Sequence, residues 1–124
     1  MSLQAIMLVG TGGALGAVAR YGVGLWVKTA SGFPWATLSV NVGGALLMGL
    51  VMGWLGRPAG AGEPVRLFVA VGLLGGFTTF SAFSFELVTL LEKRELMAAA
   101  GYLSGSVLGG VAAFLVAYAM VRGS

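Results

Sequence analysis

Cysteine, histidine and aspartate are all missing from this chain of 124 residues. Without cysteine there is no disulfide framework and no thiolate nucleophile. Without histidine as well, there is no imidazole base and no ordinary zinc ligand set. Ser/His/Asp and Cys/His catalysis are therefore excluded, and an enzyme is not expected. No glycine-rich loop ends in Lys-Ser or Lys-Thr, so no ATP site of that kind is present. Charge is scarce too. Charged residues make up 9% of the chain, against about a quarter in soluble domains. The net charge is +3. Its basic residues lie scattered near segment ends, which does not suit nucleic acid.

What the chain has instead is apolar surface. Hydrophobic residues account for 58% of it, and mean hydropathy is +0.98. That composition predicts an all-α integral membrane protein, with the lipid bilayer as its first partner. The length allows one domain, residues 1–124. Four apolar segments are each long enough to span, at about residues 3–27, 35–55, 65–91 and 96–121. Lys28 to Pro34 reads as a short polar turn. The stretch from Gly56 to Pro64 is a loop rich in breakers, and Glu92 to Glu95 is a charged turn. Trp26, Trp35 and Trp54 fall at segment ends, as interfacial aromatics do. Ala17-Val18-Ala19 resembles a signal-peptide cleavage site. No Lys or Arg precedes it and the apolar run continues past it, so cleavage is not expected.

There are 22 glycines, many at four-residue spacing. Gly12 and Gly16, Gly49 and Gly53, and Gly101, Gly105 and Gly109 form faces of small residues that let helix backbones approach closely in lipid. Basic residues do not choose an orientation. Arg57, Arg66 and Arg122 fall on one side. Lys28, Lys93 and Arg94 fall on the other, with Arg20 if it lies near its helix end. The positive-inside rule is then silent. Insertion in both orientations and pairing as an antiparallel dimer is one physical solution; a different determinant of a single orientation is the other.

The third segment carries the sharpest feature, Gly75-Gly76-Phe77-Thr78-Thr79-Phe80-Ser81-Ala82-Phe83-Ser84-Phe85-Glu86. A glycine pair, four hydroxyls and an acid are costly in hydrocarbon unless they face protein or water. A broken helix at this depth is the usual mark of an ion or substrate site. Its freed carbonyls can hold a cation, and the helix N-terminus that follows attracts an anion. Phe77, Phe80 and Phe83 recur every third residue. They either pack, or turn positive ring edges toward an anion. Asn41 is either glue between helices or a donor that replaces water around an ion. Arg20 snorkels, or draws anions into a vestibule. Glu86 is a coupling acid or a hydrogen-bonded structural group. Tyr102 and Ser106 share a helix face and can form a hydroxyl line, unless the serine bonds back to its own helix. Ser104 points elsewhere.

At these residues the chain resembles the CrcB/Fluc fluoride channel family. The likeness rests on Gly16-Ala17-Val18-Ala19-Arg20-Tyr21, on Asn41-Val42-Gly43 and on the Gly75–Glu86 stretch. Their order and spacing match, and nearly the whole chain is covered. The resemblance implies a dual-topology antiparallel homodimer with two fluoride pores at its interface and the third helix broken mid-membrane. It implies a structural sodium ion held by the carbonyls of Gly75 and Thr78. Phe80 and Phe83 would meet fluoride edge-on, and Asn41 would donate a hydrogen bond to it. Arg20 would sit at the vestibule. Tyr102 and Ser106 would form a polar track, with Thr79, Ser81 and Glu86 nearby. The expected role is passive export of fluoride across the plasma (inner) membrane of a bacterium. One departure is Gly110, where relatives can carry a further hydroxyl. Two other readings compete: a small proton-coupled multidrug-type antiporter using Glu86, and a non-transporting packing partner.

Overall fold

The structure is a computed structural model that describes residues 2–27, 32–57 and 62–123. Lys28 and most of its turn, and the middle of the Gly56–Pro64 loop, lie outside the described residues. Every regular element among the described residues is helical.

Helix α1 (Leu3–Trp26) starts where the Ser2 hydroxyl accepts the Ala5 amide at 3.0 Å. Such a cap satisfies one of the four unpaired amides at a helix start. Helix α2 (Trp35–Leu55) follows Pro34 and ends at Gly56. Helix α3 covers residues 63–77. Sequence placed Glu63 and Pro64 in the preceding loop, but both sit in its first turn. Proline is tolerated there because its missing N–H has no partner to lose. Glu63 suits the positive helix end and pairs with Arg66, whose Nε lies 2.9 Å away. From Arg66 to Leu74 the helix is wound as a π-helix. The Gly75 amide, for example, reaches back five residues to the Ala70 carbonyl.

Helix α3 stops at Phe77. Thr78 (φ −86°, ψ 156°) and Thr79 (φ −150°, ψ 122°) are extended. Helix α4 (Phe80–Glu92) then restarts, capped by the Thr79 hydroxyl, which accepts the Ala82 amide at 3.1 Å. A tight turn holding Arg94 at φ 59° leads to α5 (Leu96–Arg122). Four stretches are long and apolar enough to cross a membrane: Leu3–Trp26, Trp35–Leu55, Glu63–Glu92 and Leu96–Arg122.

The bundle is held by two close helix pairs, α1 with α3 and α2 with α5. Glycine makes both possible. A Cβ on Gly16 would overlap the Leu73 carbonyl and lie 2.8 Å from the Phe77 amide. One on Gly49 would overlap the Phe114 carbonyl. Lipid tails are as apolar as leucine, so such helices associate through packing contact rather than the hydrophobic effect. The Gly101–Gly109 face behaves differently. A Cβ on Gly105 or Gly109 would make ordinary contact with the Leu38 or Val42 side chain of α2, at 3.8 and 3.7 Å, and one on Gly101 would meet nothing within 4 Å. The sequence spacing is the same, but here the neighbour presents side chains and not backbone.

These contacts rank substitutions. Gly16→Ala must push α1 off α3 and should cost about 1–3 kcal/mol, the usual size of overpacking. Gly101→Ala should be neutral. Unfolding of the purified protein in mixed micelles, monitored by far-UV circular dichroism, measures both.

Candidate functional site

The two extended residues between α3 and α4 leave backbone groups without helical partners, and side chains from α1 and α2 reach some of them. Asn41 Nδ2 donates to the Thr79 carbonyl at 2.9 Å, and the Thr79 amide donates to Asn41 Oδ1 at 2.8 Å. The carboxamide thus pairs with both backbone groups of one residue, as a neighbouring strand would. Arg20 Nε donates to the Gly76 carbonyl at 3.2 Å. The Thr78 amide and hydroxyl both donate to the Leu74 carbonyl, at 3.1 and 3.0 Å. Gly44 clears space for the Thr78 methyl, which a Cβ there would overlap.

After these pairings, the carbonyls of Gly75, Phe77 and Thr78 receive no hydrogen bond among the described residues. Neither do the first amides of α4, at Phe80 and Ser81, donate one. The end of α3 therefore presents bare carbonyls, and two residues later α4 presents bare amides. Helix ends carry partial charges of these signs.

A second group lies further along α4. The Tyr102 hydroxyl donates to Glu86 Oε1 at 2.9 Å, and the Thr37 hydroxyl is a further hydrogen-bonding neighbour of Tyr102. Tyr102 is fully buried. Its ring packs on Phe83 with centroids 5.0 Å apart and meets Phe33 edge-on at 5.6 Å. Ser106, one turn along α5, has a buried hydroxyl with no hydrogen-bond partner. The back-bonding alternative raised by the sequence is thus absent at this serine.

Phe80 and Phe83 share a regular spacing but not an environment. Phe83 is 7% exposed, Phe80 79% and Phe85 73%. The Phe80 and Phe83 rings remain neighbours, with centroids 5.8 Å apart. Ser81 is exposed beside Phe80 and shares a 3.2 Å hydroxyl contact with Thr79. A cavity of about 320 Å³ opens beside the Arg20–Thr79 region, lined by Arg20, Tyr21, Thr37, Val40, Thr79 and Ala82.

The structure therefore brings Asn41 to Thr79, Arg20 to Gly76, and Tyr102 to both Phe83 and Glu86. It does not join Ser106 to that network by any hydrogen bond among the described residues. Sequence reasoning missed Thr37 and Phe33, and gave Tyr21 no role beyond its place in the Gly16–Tyr21 motif. Thr37 was findable, since it lies one turn before Asn41 on the same helix face.

The sequence model of the family described as "CrcB-like protein, Camphor Resistance (CrcB)" matches residues 7–118. The chain belongs to the CrcB family. Relatives of this CrcB chain cover nearly its whole length. A protein of Hyphomonas neptunium is 48% identical over 123 residues, 97% of each chain. One of Novosphingobium aromaticivorans is 44% identical over 125 residues, 98% of each. One of Thermus thermophilus is 48% identical over 118 residues, 93% of this chain and 92% of its own. Each bears the name "Fluoride-specific ion channel FluC". With its four spanning-length helical stretches, this CrcB chain is a multi-pass membrane protein.

The Tyr102–Glu86 contact can be weighed directly. Tyr102→Phe should lower stability by about 1 kcal/mol, the scale of side-chain hydrogen bonds within membranes. Combined with Glu86→Leu, which removes the acceptor, it should show a coupling of similar size, read by unfolding a double-mutant cycle in mixed micelles.

Proposed function

We propose that this protein is a fluoride-selective passive channel, working as an antiparallel, dual-topology homodimer in the plasma membrane of a bacterium. The observation that carries the reading is the interruption at Thr78–Thr79, which sets unpaired carbonyls and unpaired amides side by side in one span. The names of the relatives supply the ion. In this reading the third span is broken mid-membrane. Phe80 and Phe83 offer ring edges to fluoride, whose positive rims suit a small anion. Thr79, Ser81, Tyr102, Ser106 and Glu86 line the rest of the path, with Asn41 at its side and Arg20 at the vestibule. Ser106 has a hydroxyl to offer a passing ion. A full positive charge in the narrow part would hold fluoride too tightly to release it; Arg20 is instead tied to the Gly76 carbonyl.

Phe80 supports the dimer. A large ring that is 79% exposed beside polar hydroxyls belongs against another protein surface more than against lipid, and a second copy in reverse orientation would present the same face.

A structural sodium ion fits the residues present. Sodium takes hard oxygen donors, as backbone carbonyls are, and the carbonyls of Gly75 and Thr78 have no other partner among the described residues. Sodium bound there would neutralise the carbonyl end of α3 and tie two subunits at their centre. Arg20 and Asn41 meanwhile occupy the Gly76 and Thr79 carbonyls, which keeps these two out of the ligand set.

The test is efflux from liposomes loaded with fluoride, with a potassium ionophore setting voltage and an electrode reading release. Fluoride should leave quickly and chloride should not. Phe80→Ile and Phe83→Ile should bring release down to that of protein-free liposomes while the dimer stays intact. Absence of release from well-folded protein sinks the reading and favours proton-coupled exchange at Glu86, which Glu86→Gln would stop. Replacing sodium with N-methylglucamine should lower the melting temperature, as loss of a ligand bound to the folded state does.

A further inference from the structure

We infer that Asn41 serves conduction as a positioning residue, by holding Thr79, rather than as an obligatory ligand of the ion. This rests on the channel reading above. The argument starts from what the carboxamide can do. It has one acceptor oxygen and two N–H donors. The oxygen takes the Thr79 amide at 2.8 Å, and the nitrogen gives to the Thr79 carbonyl at 2.9 Å. The edge of the amide that carries both a donor and an acceptor is therefore committed to the protein.

The partner is also telling. Thr79 is the hinge of the interruption. It is extended, it caps α4 through its hydroxyl on the Ala82 amide, and it immediately precedes Phe80. Without Asn41, both its amide and its carbonyl would lose their partners inside a membrane-spanning stretch, where each unmet backbone group is costly. The chain would relieve that cost by continuing the helix from Phe77 through Phe80. Continuation would rotate Phe80 away from its present place, remove the unpaired amides of α4 and cover the Gly75 carbonyl. Asn41 is thereby the side chain that keeps the interruption open. Among the described residues Arg20 donates to the Gly76 carbonyl and makes no hydrogen bond to Thr79. The amide hydrogen of Asn41 that remains free is an accessory.

The distinguishing experiment weakens the partner and leaves Asn41 untouched. Phenyllactate introduced at position 80 by nonsense suppression keeps the phenyl ring. It turns the Thr79 carbonyl into an ester carbonyl, a poorer acceptor, and leaves the Thr78 carbonyl as an amide. It also removes the Phe80 amide, one of the bare amides at the start of α4, and the ester in the Asn41→Leu background reads the effect of that loss by itself. Fluoride efflux is measured for the wild type, the ester, Asn41→Leu and the two combined. The inference expects the ester alone to slow efflux and the leucine variant to slow it further, by about tenfold or more, the scale of a lost hydrogen-bonded pair. It expects the ester to add nothing in the leucine background. A silent ester, or two effects that multiply, would overturn it. Wild-type protein that carries no fluoride would instead overturn the channel reading.

Hydrogen exchange at the Thr79 amide gives a second readout that does not depend on flux. It should quicken about tenfold in Asn41→Leu, while amides along the α1–α3 seam keep their wild-type rates. Unchanged exchange at Thr79 counts against the inference. If the leucine variant does not assemble, Asn41→Ser is read in the same way, because a serine cannot span both groups of Thr79.

Discussion

Backbone hydrogen bonding in a medium without water is the constraint on which this structure depends. A helix meets it automatically, and an interrupted helix does not. Thr78 and Thr79 break the ladder, and several neighbours are then arranged around the deficit. Asn41 takes both groups of Thr79, Arg20 takes the Gly76 carbonyl, the Thr78 side chain doubles the bond to Leu74, and the Thr79 hydroxyl starts the next helix. The groups left over are carbonyls on one side and amides on the other. Every other part of the site is placed relative to that remainder.

The scaffold makes this arrangement rigid enough to matter. Gly12 and Gly16 of α1 press against the backbone of α3, and Gly72 and Gly76 of α3 press back against that of α1. Gly49 and Gly53 do the same for α2 with α5. Arg20 and Asn41 thus project from two helices that are fixed on different partners. The π-helical stretch from Arg66 to Leu74 sets which side of α3 carries Gly72 and Gly76. The same winding sets the direction in which the chain leaves Phe77. Wider turns of this kind cluster at functional sites.

Much of the fold was legible in the sequence, because a span is written in composition and length. The four apolar segments correspond to the four spanning stretches, with ends differing by a residue or two, and Trp26, Trp35 and Trp54 fall at or beside helix ends. The extended pair falls inside the stretch from Gly75 to Glu86, where breakers and hydroxyls cluster. Partner choice was less legible. Asn41 and Thr79 lie 38 residues apart, and nothing local in either names the other. Equal spacing also concealed unequal surroundings. Phe80 and Phe83 differ because α5 brings Tyr102 over one ring and nothing over the other. Gly12 and Gly101 differ because one faces backbone and the other faces outward. The π winding has no residue signature that periodicity detects.

The polarity at the interruption belongs to peptide groups. Carbonyls and amides neither gain nor lose protons in any condition a cell meets. Backbone groups arranged this way hold the same field in acid as in neutral surroundings, where carboxylates or imidazoles would fade or invert. A polarity fixed by chain geometry is therefore the same at every such pH.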